Sequence, residues 1–171
     1  QPAVVGLSMV GTASATASAG SKKTNPNVRV SGVDEHYLDI STTQLAAGRN
    51  FSAYELQSGA YTCIIGSGIA TRLFDIDIRQ GMDHTISVGN TSYRVVGIME
   101  PRGGSMIMDT DNMILIPLQN ARALYGGDKA YVISVAVKDV GQKTVVAGEA
   151  EGLFRIIRKL PPGAESNFSV N

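Results

Sequence analysis

The stretch from Tyr61 to Met99 holds the residues best placed for chemistry. A strand-like run, Tyr61–Ile65, leads through Gly66-Ser67-Gly68 into a short helical pattern, Ser67–Phe74. A glycine turn between strand and helix is where a dinucleotide pyrophosphate would bind. The third glycine of G-x-G-x-x-G is missing, since Thr71 stands in its place. The next strands read as a hairpin, so the parallel partner strand of such a site is missing too. The glycines are expected to permit a tight turn, with Ser67 capping the helix. A nucleophile elbow, G-x-S-x-G, needs one residue on each side of the serine, and Ser67 has none.

The remaining reactive side chains are few. A Ser-His-Asp triad is defined by geometry, so Ser67 and Cys63 stay open as nucleophiles of a soluble hydrolase, with His36 or His84 as base. Both histidines stand beside acids in polar turns, Asp34-Glu35-His36 and Asp83-His84, where a solvated imidazole is the ordinary state. Cys63, the one cysteine, lies inside an apolar run and is expected to act as a small hydrophobe. Two histidines and one cysteine without ligand spacing do not make a zinc site. Asp109-Thr110-Asp111-Asn112 resembles the start of a calcium loop, but Met113 takes the third ligand position and the glycine and terminal glutamate are lacking. The sequence therefore assigns no catalytic residue, cofactor or metal. Arg102, Met106 and Met108, in the glycine-containing loop Glu100–Asn112, form a candidate partner-contact loop; the methionines are either buried beneath it or exposed for a partner.

Which elements position these residues follows from pattern. Thr85–Val88 and Ser92–Met99 read as hairpin arms across Gly89-Asn90-Thr91. Ala3–Ala19 reads as a strand, Gly20–Asn27 as a polar loop and Val28–Val33 as the returning arm. Asp34 is placed to cap a helical turn through Tyr37 and Leu38. Ser52-x-x-Glu55 is a capping box, flanked by a staple of Phe51 and Leu56 and stopped by Gly59. Met113–Leu118 is a buried strand, and Pro117 sets the first turn of a helix, Leu118–Tyr125, ended by Gly126-Gly127. Tyr131–Lys138 alternates as a strand. Lys143–Leu160 reads as an amphipathic helix, with Val146, Ala150, Leu153, Ile157 and Leu160 on one face, and Asn167–Val170 as a last strand. Strand–helix–strand at the C-terminus predicts a βαβ unit packed on the N-terminal hairpin, with a strand-rich insertion from about Ala46 to Pro117.

Composition narrows the function classes. The chain has 171 residues, enough for one domain or two small lobes. Fifteen basic residues balance fifteen acidic ones, which argues against a surface built for nucleic acid or anionic lipid. No apolar run is long enough to cross a membrane as a helix. The chain opens on Gln1-Pro2 without a methionine or signal peptide and is expected to be a piece of a longer protein.

A run of ordered positions then carries a family likeness: Gly48-Arg49-x-Phe51, Ile64-Ile65-Gly66, Ala70, Leu73-Phe74, Gly81, Ile86 and Tyr93-x-Val95-Val96-Gly97-Ile98. Gly32-Val33 with Tyr37-Leu38 lies upstream, and Ile114–Leu118 with Ala121 downstream. In this order they resemble the extracytoplasmic core domain of MacB-type ABC transporter permeases, the FtsX-like superfamily, over about Pro2 to Val170. Where that family commonly has Pro-Ile-Gly-Lys, this chain has Ile78-Arg79-Gln80-Gly81-Met82, and the helix usual before the first strand is lacking.

The resemblance implies an α+β fold of two lobes. A porter-like α/β lobe would come from both chain ends (1–45 and 118–171), and a β-rich lobe would be inserted in the middle (46–117). It implies a non-catalytic domain on the periplasmic face of the bacterial inner membrane, between transmembrane segments of a permease. Its partners would be a cytoplasmic ABC ATPase and a second permease copy, together with a periplasmic adaptor protein and an outer-membrane channel. ATP-driven motion would be transmitted for macrolide- or peptide-like efflux. Lipoprotein release or antimicrobial-peptide sensing is the alternative within the same architecture. A small-molecule binding domain would instead need a sizeable closed pocket.

Overall fold

The computed structural model describes residues 3–74, 81–101, 110–126, 131–137 and 159–160. In chain order they form β1 (Ala3–Ala15), β2 (Ala17–Ala19), β3 (Lys22–Lys23), β4 (Val28–Val33), α1 (Tyr37–Ile40) and β5 (Leu45–Gly48). There follow α2 (Ala53–Ser58), β6 (Thr62–Ile65), α3 (Ser67–Phe74), β7 (Thr85–Val88) and β8 (Thr91–Met99). A 3-10 turn at Thr110–Asn112 leads into β9 (Met113–Pro117), α4 (Leu118–Tyr125), β10 (Tyr131–Val137) and β11 (Lys159–Leu160). The class is α+β: one hydrogen-bonded sheet with short helices.

The sheet runs in the order β11-β10-β1-β4-β9-β6-β8-β7-β2-β3, with β5 paired to β8. β1 and β2 are two parts of one stretch of chain, interrupted at Thr16. β1 pairs with β4 at Ala15↔Val28, while β2 leaves that partner and pairs with β7 at Ala17↔Val88. The path β4-β9-β6-β8-β7 thus begins and ends on the same N-terminal stretch, and the sheet curls back on itself. The small residues after Val10 suit this bend, since alanine, serine and threonine leave room where the register shifts between Val10, Thr12 and Ala15.

Alternation along the strands sorts side chains onto two faces. Cys63 and Ile65, Ile114 and Ile116, Val28 and Val30 join one buried cluster with Met9, Tyr93 and the α3 residues Ile69, Ala70 and Leu73. Their neighbours Ile64, Met113, Leu115 and Val33 join a second cluster with Phe51, Leu38 and Met99. Period-two alternation in a sheet covered on both faces produces this division. Val95 falls in the first cluster and Val96 in the second, and the register shifts by one between Cys63/Val95 and Ile64/Gly97, so Ile98 returns to the first.

Several sequence expectations change here. Asp34 does not cap α1: its carboxylate accepts from Leu7 N (2.6 Å) and His36 N (3.0 Å), while His36 occupies the N-cap without a side-chain bond. Asp34 thus closes the turn that leads into α1, two residues ahead of the cap position, and ties that turn to β1. Lys22–Lys23, read as loop, pairs with β2 at Ser18↔Lys23. Lys159–Leu160, read as the end of a helix, is an extended pair on β10 at Tyr131↔Leu160. The rest of that helix, the strand Asn167–Val170 and the loop residues Arg102, Met106 and Met108 lie outside the described residues.

Candidate functional site

The glycine turn that suggested a phosphate site is tied into the sheet. Gly66 N–H donates to Met113 O (2.8 Å), and Gly66 O accepts the first helical bond from Ala70 N (3.0 Å). Gly66 therefore takes the cap position expected of Ser67, and Ser67 is the buried first residue of α3. The backbone of Asp111 closes over Gly68, where a Cβ would stand 2.9 Å from Asp111 O.

Beside this turn lies a cleft of about 420 Å³, bounded by the loop after β3, by α3 and by the turn before β9. Thr24, Asn25, Asn27, Thr71, Arg72, Asp111 and Asn112 supply its polar wall. Much of this polarity is spent internally. Asn112 Nδ2 donates to Asn27 O (2.9 Å), Arg72 Nε donates to Lys23 O (3.1 Å), and Thr24 Oγ1 accepts from Ala17 N (3.0 Å). These bonds tie β3 and the loop after it to α3, to the turn before β9 and to β2. Arg72 Nε and the Asn112 amide, two groups that could grip an anion, are thus engaged in closing the fold.

The nucleophile candidates are not assembled. Cys63 is fully buried and its thiol is pushed far up by burial alone. Neither Cys63 nor Ser67 hydrogen-bonds a histidine among the described residues. His84 packs its ring near Phe74, with centroids 5.9 Å apart, and His36 sits in an exposed turn 3.6 Å from Glu35. No group of three metal-ligating side chains occurs among the described residues.

Two side-chain networks stand out instead. In the first, Ser52 Oγ accepts from Glu55 N (3.1 Å) and Glu55 Oε1 accepts from Ser52 N (2.8 Å), completing the capping box. The same carboxylate takes a forked pair from Arg49, 2.8 and 3.1 Å. The Arg49 hydrogen bond, aided by Ser52 N–H and opposed by burial, holds the Glu55 carboxyl at about 2. Arg49 N–H also donates to Val96 O (3.0 Å), so the network stitches α2 to β8. In the second, the Tyr93 hydroxyl donates to Asn120 Oδ1, and Asn120 Nδ2 donates to Gly59 O (3.0 Å). The capping box was legible in sequence as S-x-x-E. The Tyr93–Asn120–Gly59 chain was missed, because its members are far apart along the chain and an asparagine in a helix carries no signal of its partner.

Both networks fix shape, and three of the positions that carry the family likeness belong to them: Arg49, Val96 and Tyr93. The MacB-like periplasmic core domain family matches residues 1–153. The chain belongs to that family. Its relatives include the macrolide export ATP-binding/permease protein MacB of Bdellovibrio bacteriovorus, 24% identical over 84% of this chain and 22% of the relative. The pyoverdine export ATP-binding/permease protein PvdT of Pseudomonas syringae pv. tomato is 31% identical over 80% of this chain and 20% of the relative. The chain thus spans about a fifth of the length of these relatives.

Solved structures share the fold. The extracellular domain of the noncanonic ABC-type transporter YknZ from Gram-positive bacteria aligns with a TM-score of 0.64 at 21% identity, covering 86% of this chain and 71% of that one. The periplasmic region of MacB from Actinobacillus actinomycetemcomitans aligns with a TM-score of 0.64 at 15% identity, covering 88% and 71%. No described helix is long and apolar enough to cross a membrane.

Proposed function

We propose that this MacB-like core domain is the extracytoplasmic, non-catalytic module of an ABC transporter permease, carrying ATP-driven motion and binding envelope partners for export. The family match over residues 1–153 is the observation that supports it most. The domain works at the periplasmic face of the bacterial inner membrane, joined to its own transmembrane segments. ATP hydrolysis belongs to a cytoplasmic ATPase domain or subunit, and a second permease copy stands beside the first. A periplasmic adaptor and an outer-membrane channel are the envelope partners. The domain comprises a chain-end lobe, 1–45 and 118–171, and an inserted lobe, 46–117, which carry the motion together. Arg102, Met106 and Met108 form the partner-contact loop.

Macrolide- or peptide-like cargo is the first reading of the exported class. Lipoprotein release and peptide sensing are the outcomes of the test that would redirect it. In-cell crosslinking followed by purification of the full protein is expected to recover an ATPase and envelope proteins. Recovery of neither would overturn the proposal. Hydrolysis by Ser67 or Cys63 is not proposed, since Cys63 is a buried thiol and neither residue bonds a histidine among the described residues.

A further inference from the structure

Helix α4 is held from two sides, and the two grips are of different kinds. On one side it lies flat on the sheet. A Cβ at Gly32 of β4 would collide with the Ala121 side chain and come within 3.2 Å of the Leu118 backbone. A Cβ at Gly11 of β1 would stand 2.6 Å from the Tyr125 ring. Glycine on the strands and alanine on the helix allow the backbones to approach this closely. This grip belongs to strands from the N-terminal part of the chain.

On the other side the helix is pinned by polar contacts to the middle of the chain. Asn120 is 2% exposed, in a helix where an apolar residue would fill the place without polar groups to satisfy. Both ends of its amide are used, Oδ1 by Tyr93 of β8 and Nδ2 by the Gly59 carbonyl at the end of α2. Gly59, in the left-handed conformation at φ 66°, presents that carbonyl while its own Cα side abuts Asn120 N, where a Cβ would stand 3.2 Å away. Tyr93 is itself 2% exposed, its ring lies 5.6 Å from that of Tyr61, and burial raises its hydroxyl so that it stays a donor. Apolar packing tolerates sliding by small steps, whereas a buried amide with two directional partners has one register.

We propose that α4 is a bar that reinforces the strand pairings already joining the N-terminal strands to the α2–β8 segment, so that they move as one body, with Asn120 as its positioning pin. The idea rests on the motion-carrying function proposed above. The occupant of each pin position follows from its role: a donor hydroxyl at Tyr93, a two-ended amide at Asn120 and a free carbonyl at Gly59.

Hydrogen–deuterium exchange of the 171-residue chain tests the pin. In Asn120→Leu, the α4 amides are expected to exchange at least tenfold faster while those of β4 and β6 keep their protection. Tyr93→Phe, which removes only a hydroxyl and supplies the test should Asn120→Leu fail to fold, is expected to show a smaller change confined to α4 and α2. Unchanged α4 exchange, or an equal loss throughout β4, β6 and α4, would overturn the pin. In the full-length protein, Tyr93→Phe is expected to keep ATP turnover and lower export per ATP several-fold; export at the unaltered ratio would overturn the bar. Failure of the underlying transport reading shows separately, as a full-length protein that recruits no ATPase.

Discussion

At the scale of single residues, the buried polar side chains of Glu55 and Asn120 serve as joints. Glu55 is the clearest case, because one carboxylate serves the capping box and the Arg49 fork together. Its carboxyl is held at about 2 against an ordinary 4.5, so it binds protons less readily folded than unfolded. The stabilisation is complete above about pH 4.5 and is lost as pH falls toward 2. Arg49 is half in water, which trims the contribution to about 2 kcal/mol. Denaturant titrations between pH 5 and 2 are expected to show this loss in the natural chain and a flatter profile in Glu55→Gln. Gly48 is the backbone counterpart: at φ 82°, an added Cβ would collide with the Val96 carbonyl. Gly48→Ala is expected to cost about 2 kcal/mol or more in urea unfolding. The capping box could be read from the sequence because its partners are three residues apart. The Arg49 fork and the Asn120 pin could not, since nothing local to an arginine or asparagine names its distant partner.

At the scale of elements, several local signals are legible in the sequence and the long-range pairings are not. Ser67–Phe74, Leu118–Tyr125 and the Thr85–Met99 hairpin stand where turn residues and periodicity put them. The hairpin turn is tighter than expected, with Val88 opposite Thr91 across Gly89-Asn90. The parallel pairing of β9 with β4 and the antiparallel pairing of β9 with β6 had no local signature. Such pairings are decided by which apolar faces can be buried together, a property of the whole chain. The break at Thr16 was equally silent, because Ala, Ser and Thr alternate evenly through it. Two outcomes follow at this scale. Ser52→Ala removes the oxygen that takes Glu55 N–H and is expected to cost about 1 kcal/mol, measured by thermal unfolding. Cys63, in the centre of β6 and fully buried, is expected to resist thiol reagents in the folded chain and to react only as the sheet opens.

At the scale of the whole molecule, the described sheet is continuous from β11 to β3, and α4 packs across one of its two covered faces. Cys63 and Ser67 are buried in this body, and the family match places it among MacB-like periplasmic core domains. Contacts between permease copies are proposed to run through the membrane segments. Sedimentation of the 171-residue chain at micromolar concentration is therefore expected to give a monomer, and a tight dimer would place those contacts in this domain instead. The central claim is that the domain moves with ATP. Its most direct measurement is the distance between spin labels on Tyr54→Cys in the two copies of the full-length permease, a surface position on α2 that is 76% exposed. The distance distribution is expected to shift when ATP binds and to return after hydrolysis. A distribution unchanged by ATP, in a permease that still turns ATP over, would contradict the claim.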